Sequence, residues 1–294
     1  MRAFGKMLGR VLAGLAVLLL ALPAAAQYPD PGTNPLWPLP SSYSLGNKKV
    51  YLSKNFKFNA GLSSYIVNRG FKRYQELFGT SRDVPSDPSA VAINSCDFSF
   101  DSTNDELTID TDETYTLSIS ETGVCTAHSK TVYGALRALE TLSQVLAREG
   151  DSVVSNLAPV SVTDKPRFAH RGLLVDTARH YLPVSTMKAI IDTLPINKFN
   201  VLHWHTVDAE SFPLVTPSAP TLSQAAFSPQ MTYSPEDMND LTNYAKDRGV
   251  VLLMEVDVPG HAAGVRRGDA SVGRHNRSLR PRIRRRADRD SRTE

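Results

Sequence analysis

"FNVLHWHTVD" (Phe199–Asp208) opens on apolar residues, alternates imidazole with indole, and closes on an acid. In an extended chain successive side chains point to opposite faces, so His203 and His205 share a face and Leu202 and Trp204 share the other. Apolar residues on both faces at the start describe a strand covered on both sides, the habit of parallel sheets. Working outward, "HRGLLVDTARH" (His170–His180) and "VVLLMEVDVPGH" (Val250–His261) repeat the pattern. The spacing predicts a helix over Val184–Lys198, weakened near its end by Pro195. A second is predicted from Ser234-Pro235-Glu236 to Gly249, with proline at the start and glycine at the stop. The order β-α-β-α-β implies parallel pairing through right-handed crossovers. That leaves a doubly wound sheet or the opening of a (β/α)8 barrel.

The polar residues choose between those two. Each strand turns polar at its C-terminal end, with Asp176 and Arg179, then His203, His205 and Asp208, then Glu255, Asp257 and His261. Ligands bind at that edge in parallel folds. No glycine-rich loop follows the first strand, which disfavours a dinucleotide fold. Three strands with polar tips suit a barrel mouth. The fold class read here is α/β: an α+β domain, then the first three strands of a (β/α)8 barrel, left incomplete.

The chain before this segment reads differently. Ser64–Gly79 places Ile66, Val67, Phe71, Tyr74 and Phe78 on one helical face, and Lys130–Glu149 does the same with Val132, Leu136, Leu139, Leu142 and Leu146. Short strands are predicted from Glu106, Tyr115 and Val124, after an extended Pro-rich lead-in over Tyr28–Gly46. This reads as antiparallel strands with helices on one side. Cys96 and Cys125 fall in it, and a disulfide and two buried thiols both fit.

Charge is spread unevenly over the 294 residues, whose formal net charge is +3. Residues 265–294 hold 11 arginines, no lysine and four acids. The first 26 residues carry Arg2, Lys6 and Arg10 and no acid. The middle is therefore acidic and is not built to seek nucleic acid or anionic lipid. Val11–Leu22 is an apolar run too short to span a bilayer, and "PAAA" follows it, so residues 1–26 read as a cleaved signal peptide. The expected localisation is the secretory pathway, whether extracellular, vacuolar or lysosomal, with no membrane association after cleavage. The domain plan is 1–26 signal, 27–166 α+β domain, 167–264 partial barrel and 265–294 Arg-rich tail. The tail reads as disordered or as an out-of-frame translation of a GC-rich gene.

Two chemistries compete for the polar strand tips. His203 and His205, with Asp257 and His261, could hold a metal, as in metal-dependent barrel hydrolases. Alternatively Glu255 and Asp257, with Arg179 and His261, could form a polyol pocket, where carboxylates accept from hydroxyls and arginine donates a planar fork. The pocket is the reading adopted, with no metal.

"RGLLVDTARHYLPV", "INKFNVLHWHTVDAESFPL" and "YAKDRGVVLLMEVDVPGH" resemble the opening of the catalytic barrel of glycoside hydrolase family 20, the β-N-acetylhexosaminidases. "LWPLP" and "TVYGALRALETLSQVL" resemble the N-terminal domain of its eukaryotic members. The resemblance implies a secreted, cofactor-free hydrolase acting on glycans ending in N-acetylglucosamine or N-acetylgalactosamine. It implies retention, with the substrate's 2-acetamido oxygen as nucleophile. Arg179 then resembles the arginine that holds hydroxyls of the terminal sugar, and Asp208 the aspartate beside the catalytic acid. Asp257, His261 and Glu255 belong to the active-site network, with Asp176, His203 and His205 in support. Dimers are a further option for full-length relatives. The family's Asp-Glu pair, in a Gly-Gly-Asp-Glu-like stretch after the fourth strand, has no counterpart here. Asp105-Glu106 lies in the first domain and Glu236-Asp237 opens a helix. The expectation is therefore an inactive chain, with a non-catalytic sugar-binding short form as the alternative.

Overall fold

The computed structural model describes residues 34–79, 84 and 89–268. The proposed signal peptide and most of the Arg-rich tail lie outside them. Among the described residues no helix is long and apolar enough to cross a membrane.

The first part is a mixed sheet of β1 (Ser42–Ala60), β2 (Ala92–Phe100), β3 (Tyr115–Ile119), β4 (Cys125–Ser129), β5 (Ala147–Glu149) and β6 (Ser152–Asp164), in the order β1-β2-β4-β3-β6-β5. The expectation of antiparallel strands needs correcting, because β1–β2 and β2–β4 are parallel. The cause of the first is α1 (Tyr65–Phe78), which carries the chain from β1 back to the start of β2, as a parallel pair requires. β1 is long enough to change partners, pairing with β6 over Ser42–Tyr51 and with β2 from Tyr51 onward.

Helix α2 (Val132–Gln144) packs on β2, β3 and β4, and α1 packs on α2 and, through Phe71, on Phe58 and Phe98 of the sheet. Ser64 caps α1 by accepting from the Val67 amide, and Gly79 ends it at φ 65. Gly70 is where the two helices touch; a Cβ there would lie 2.7 Å from Leu136 Cδ2. Phe71 stacks on Phe58, with ring centroids 4.8 Å apart. Helix α2 ends before the predicted Glu149, since Ala147–Glu149 turns back as β5 through Gly150 at φ 59. The strand predicted from Glu106 is a turn. There Ser102, Asn104 and Thr108 side chains accept backbone N–H bonds that a ladder would otherwise take.

Cys96 and Cys125 are directly opposed on β2 and β4 and form a disulfide, with Cα atoms 4.5 Å apart. Both are buried.

The second part is a parallel sheet, β7 (Gly172–Asp176), β8 (Val201–Val207) and β9 (Val251–Val256), in the order β7-β8-β9. Crossovers α3 (Val184–Ile196) and α4 (Pro235–Lys246) cover one face. Pro195 sits in the last turn of α3, where its ring ends the helix rather than breaking it. Ser234 and Asp237 cap α4 reciprocally, a capping box. The core joins Met187, Ile191, Leu241 and Ala245 to Leu202 and Trp204. Trp204 is fully buried and donates Nε1–H to Thr177 Oγ1 at 2.8 Å. A last helix, α5 (Ala263–Gly268), runs across position 264, where the sequence changes character. Gly264 is buried there, and a Cβ would lie 2.4 Å from the Asp208 carbonyl oxygen.

Candidate active site at the strand C-termini

Strand register aligns the polar tips. Asp176, His205 and Glu255 are Cα partners across β7, β8 and β9, and Leu174, His203 and Leu253 form the row beneath. Both rows stand on the face away from Trp204, because side chains alternate. The helices cover the Trp204 face, so the open face carries the chemistry.

Asp208 is the hub. It is 2% exposed, and its Oδ2 lies 2.6 Å from Arg179 Nη2 and 2.9 Å from both His205 Nε2 and His261 Nδ1. Its Oδ1 accepts from the Ala209 amide. Burial works against ionisation, yet the Ala209 amide, the two imidazoles and the guanidinium bring its pKa down to about 2.

His205 bridges two acids, Asp208 through Nε2 and Glu255 through Nδ1 at 3.2 Å. Burial lowers its pKa, but the two carboxylates outweigh burial and raise it. Glu255 also meets His203 Nε2 at 2.5 Å. Burial pushes Glu255 upward, and hydrogen bonds to Asp257, His205 and His203 hold it below its ordinary value.

Arg179 is shared among three carboxylates: Asp176 on Nη1 at 2.5 Å, Asp208 on Nη2, and Glu210 on Nε at 3.3 Å. Asp176 Oδ1 accepts from the Ala178 and Arg179 amides, which fixes the turn that presents the guanidinium. Burial opposes ionisation of Asp176, and its bonds to Arg179 and these amides lower its pKa.

All eight residues singled out from the sequence stand at this mouth or one row below it. Glu210 escaped that reading. Its only signal is an acid three residues past the end of β8.

The metal reading meets a specific obstacle. His205, Glu255 and Asp257 offer ligand atoms within 4.8 Å of one another. Yet both nitrogens of His205 already face carboxylates, Asp208 and Glu255, so a metal would have to take the place of one of these contacts. His203 and His261 are engaged elsewhere, on Glu255 and Asp208.

Acid pairs adjacent in sequence do other work. Asp105 pairs with Lys246 at 3.3 Å, and Asp237 completes the α4 cap. In Asp112-Glu113, a pair the motif reading passed over, Glu113 is buried between Arg137 and Arg171.

Residues 168–289 match the model of the glycosyl hydrolase family 20 catalytic domain, and residues 36–145 match the "beta-acetyl hexosaminidase like" model. The chain belongs to glycoside hydrolase family 20. The catalytic-domain match continues past Gly264, where the resemblance read from motifs stops. β-Hexosaminidase 1 of Arabidopsis thaliana is 39% identical over 270 residues, which cover 84% of this chain and 50% of that protein. The β-hexosaminidase β subunit of Felis catus is 36% identical over 88% of this chain and 51% of its own length. The chain spans about half the length of these relatives. Among solved structures, the chitobiase of Flavobacterium johnsoniae superposes with a TM-score of 0.70 at 27% identity, covering 83% of this chain and 37% of that one. These family 20 neighbours imply an α/β fold with a TIM-barrel catalytic domain, and the described residues here hold a parallel three-stranded sheet, β7-β8-β9.

Proposed function

We propose that β7–β9 are the first three strands of a (β/α)8 barrel. On this reading Arg179, Asp208 and His261 form one wall of a pocket for a terminal N-acetylhexosamine. The reaction this wall serves is removal of that sugar from glycoconjugates or chitin fragments, with the substrate's acetamido oxygen as nucleophile. The names of the relatives, β-hexosaminidase and chitobiase, support the substrate class.

The observation that carries the reading is the position of Arg179. Three carboxylates orient its guanidinium on the open face of the sheet, at the edge where barrel ligands bind. A neutral pyranose needs fork donors and carboxylate acceptors in such proximity.

This reading assigns Arg179, Asp208 and His261 to holding the sugar and assigns protonation of the leaving oxygen to none of the residues on β7–β9. The Cys96–Cys125 disulfide supports passage through the secretory pathway, where such bonds persist. The test uses the purified chain. Its thermal transition is expected to rise with added N-acetylglucosamine, and an unmoved transition overturns the pocket.

A further inference from the structure

At the N-terminal ends of β7–β9, opposite the carboxylate hub, the barrel segment meets the mixed sheet through buried charge. Glu113 is 5% exposed and is gripped by Arg137 and Arg171. Arg137 Nη2 also donates to the Gly249 carbonyl at 2.9 Å and the Phe199 carbonyl at 3.3 Å, just before β9 and β8. Arg171 Nε donates to the Lys198 carbonyl at 2.7 Å. Lys198 Nζ in turn donates to Tyr115 Oη at 2.7 Å and to Asp164 Oδ2 at 3.0 Å.

Three cations thus share two carboxylates in direct contact, and the buried Glu140 acts on Lys198 and Arg137 from further away. Burial pulls both the Lys198 ammonium and the Arg171 guanidinium below their ordinary values. A cavity of about 440 Å³ opens onto this cluster. Pro38, Leu39, Pro166 and Phe168 supply apolar walls. Lys165 and Arg167 also line it, both exposed, and neither has an ion-pair partner among the described residues. The Arg167 guanidinium lies 5.5 Å from the centre of the Phe168 ring.

We propose that this cavity binds a monoanionic carboxylate carried on a small apolar body. The lining sets Arg137, Lys165, Arg167, Arg171 and Lys198 against Glu113 and Asp164, which favours a negative charge, and the apolar walls take the body. The third ammonium hydrogen of Lys198 and the cations of Lys165 and Arg167 are the donors offered to the carboxylate. The volume suits a small organic acid. Such a ligand would bridge the mixed sheet and the base of the parallel sheet, at the end of the strands away from Arg179 and Asp208.

The test is calorimetric titration of the whole chain with 3-phenylpropionate and, separately, with the uncharged 3-phenylpropionamide. The acid is expected to bind about tenfold more tightly than the amide, since only the acid makes charge-assisted hydrogen bonds. A Lys165→Glu/Arg167→Glu variant changes only exposed side chains. It is expected to weaken the acid by about tenfold, by charge reversal at the rim, while its cooperative thermal transition stays in place. Equal binding of acid and amide overturns the proposal, as does no binding of either. Undiminished binding by the variant also overturns it, placing the probe on the open apolar face of β7–β9 instead.

Discussion

Arg179 Nη2 lies 2.6 Å from Asp208 Oδ2, so the two polar tips that end β7 and begin the loop after β8 are joined by a direct ion pair. Arg179 and Asp208 lie 29 positions apart in the chain, and the pair closes because β7 and β8 run parallel in register.

That relationship makes stability at the mouth depend on pH. The Asp208 carboxyl lies at about 2 when folded, below its unfolded value near 3.9. A depressed folded pKa contributes stability that is present above the unfolded value and is lost as pH falls through the folded one. The expected loss is on the order of 1–2 kcal/mol between about pH 4 and pH 2. Urea unfolding across that range checks it against Asp208→Asn, which should show a flatter acid limb and lower stability at neutral pH.

His205 carries the opposite sign. Its folded pKa is raised, so its contribution is full below the unfolded value of about 6.5 and fades as pH rises through the folded value. A proton NMR titration of the His205 ring should give a midpoint above that of a free histidine. Glu255→Gln should move it down, because it removes one of the two carboxylates.

Glu113→Gln should cost about 3–5 kcal/mol, since it strips the counter-charge from Arg137 and Arg171 in a buried site. Denaturant unfolding reads this directly. A cost under about 1 kcal/mol would mean that water reaches the cluster and screens it.

Breaking the disulfide should cost about 3–4 kcal/mol, the chain-entropy figure for a cross-link spanning 29 residues. Comparing Cys96→Ser/Cys125→Ser with the oxidised protein by thermal unfolding checks it.

The open face of β7–β9 predicts self-association. Leu174 and Leu253 flank His203 there and are 54% and 45% exposed, and β7 and β9 are both sheet edges among the described residues. Unpaired strand edges with apolar side chains template aggregation. Leu253→Lys should raise the monomer fraction in light scattering. An unchanged or larger aggregate size would show that another surface is responsible.

How much of this was legible in the sequence follows from the range of each interaction. The β7–β9 segment and its crossovers read well because strand period, proline, glycine and capping serine act within a few residues. The adjacency of the polar tips was legible for the same reason: parallel strands put their C-terminal residues at one edge, which makes Asp176, His205 and Glu255 neighbours. The mixed sheet read poorly. The predicted lead-in, Tyr28–Gly46, covers only the first residues of β1, no bounds are predicted for β2, and local side-chain bonds hold Glu106–Asp110 in a turn where a strand is predicted. Partner choice in that sheet depends on residues more than a hundred positions apart, such as Ser42 and Thr163.

By itself, then, the sequence determined the family, the βαβαβ order and the residue types at the strand tips, because these are set by local period and motif. Only the tertiary structure decided which acid holds which cation. It made Asp208 the hub, added Glu210 to Arg179, engaged His205 on both nitrogens and buried Glu113 between two arginines. Those pairings depend on electrostatics over a few ångströms between segments far apart in the chain, and no one-dimensional pattern encodes such distances.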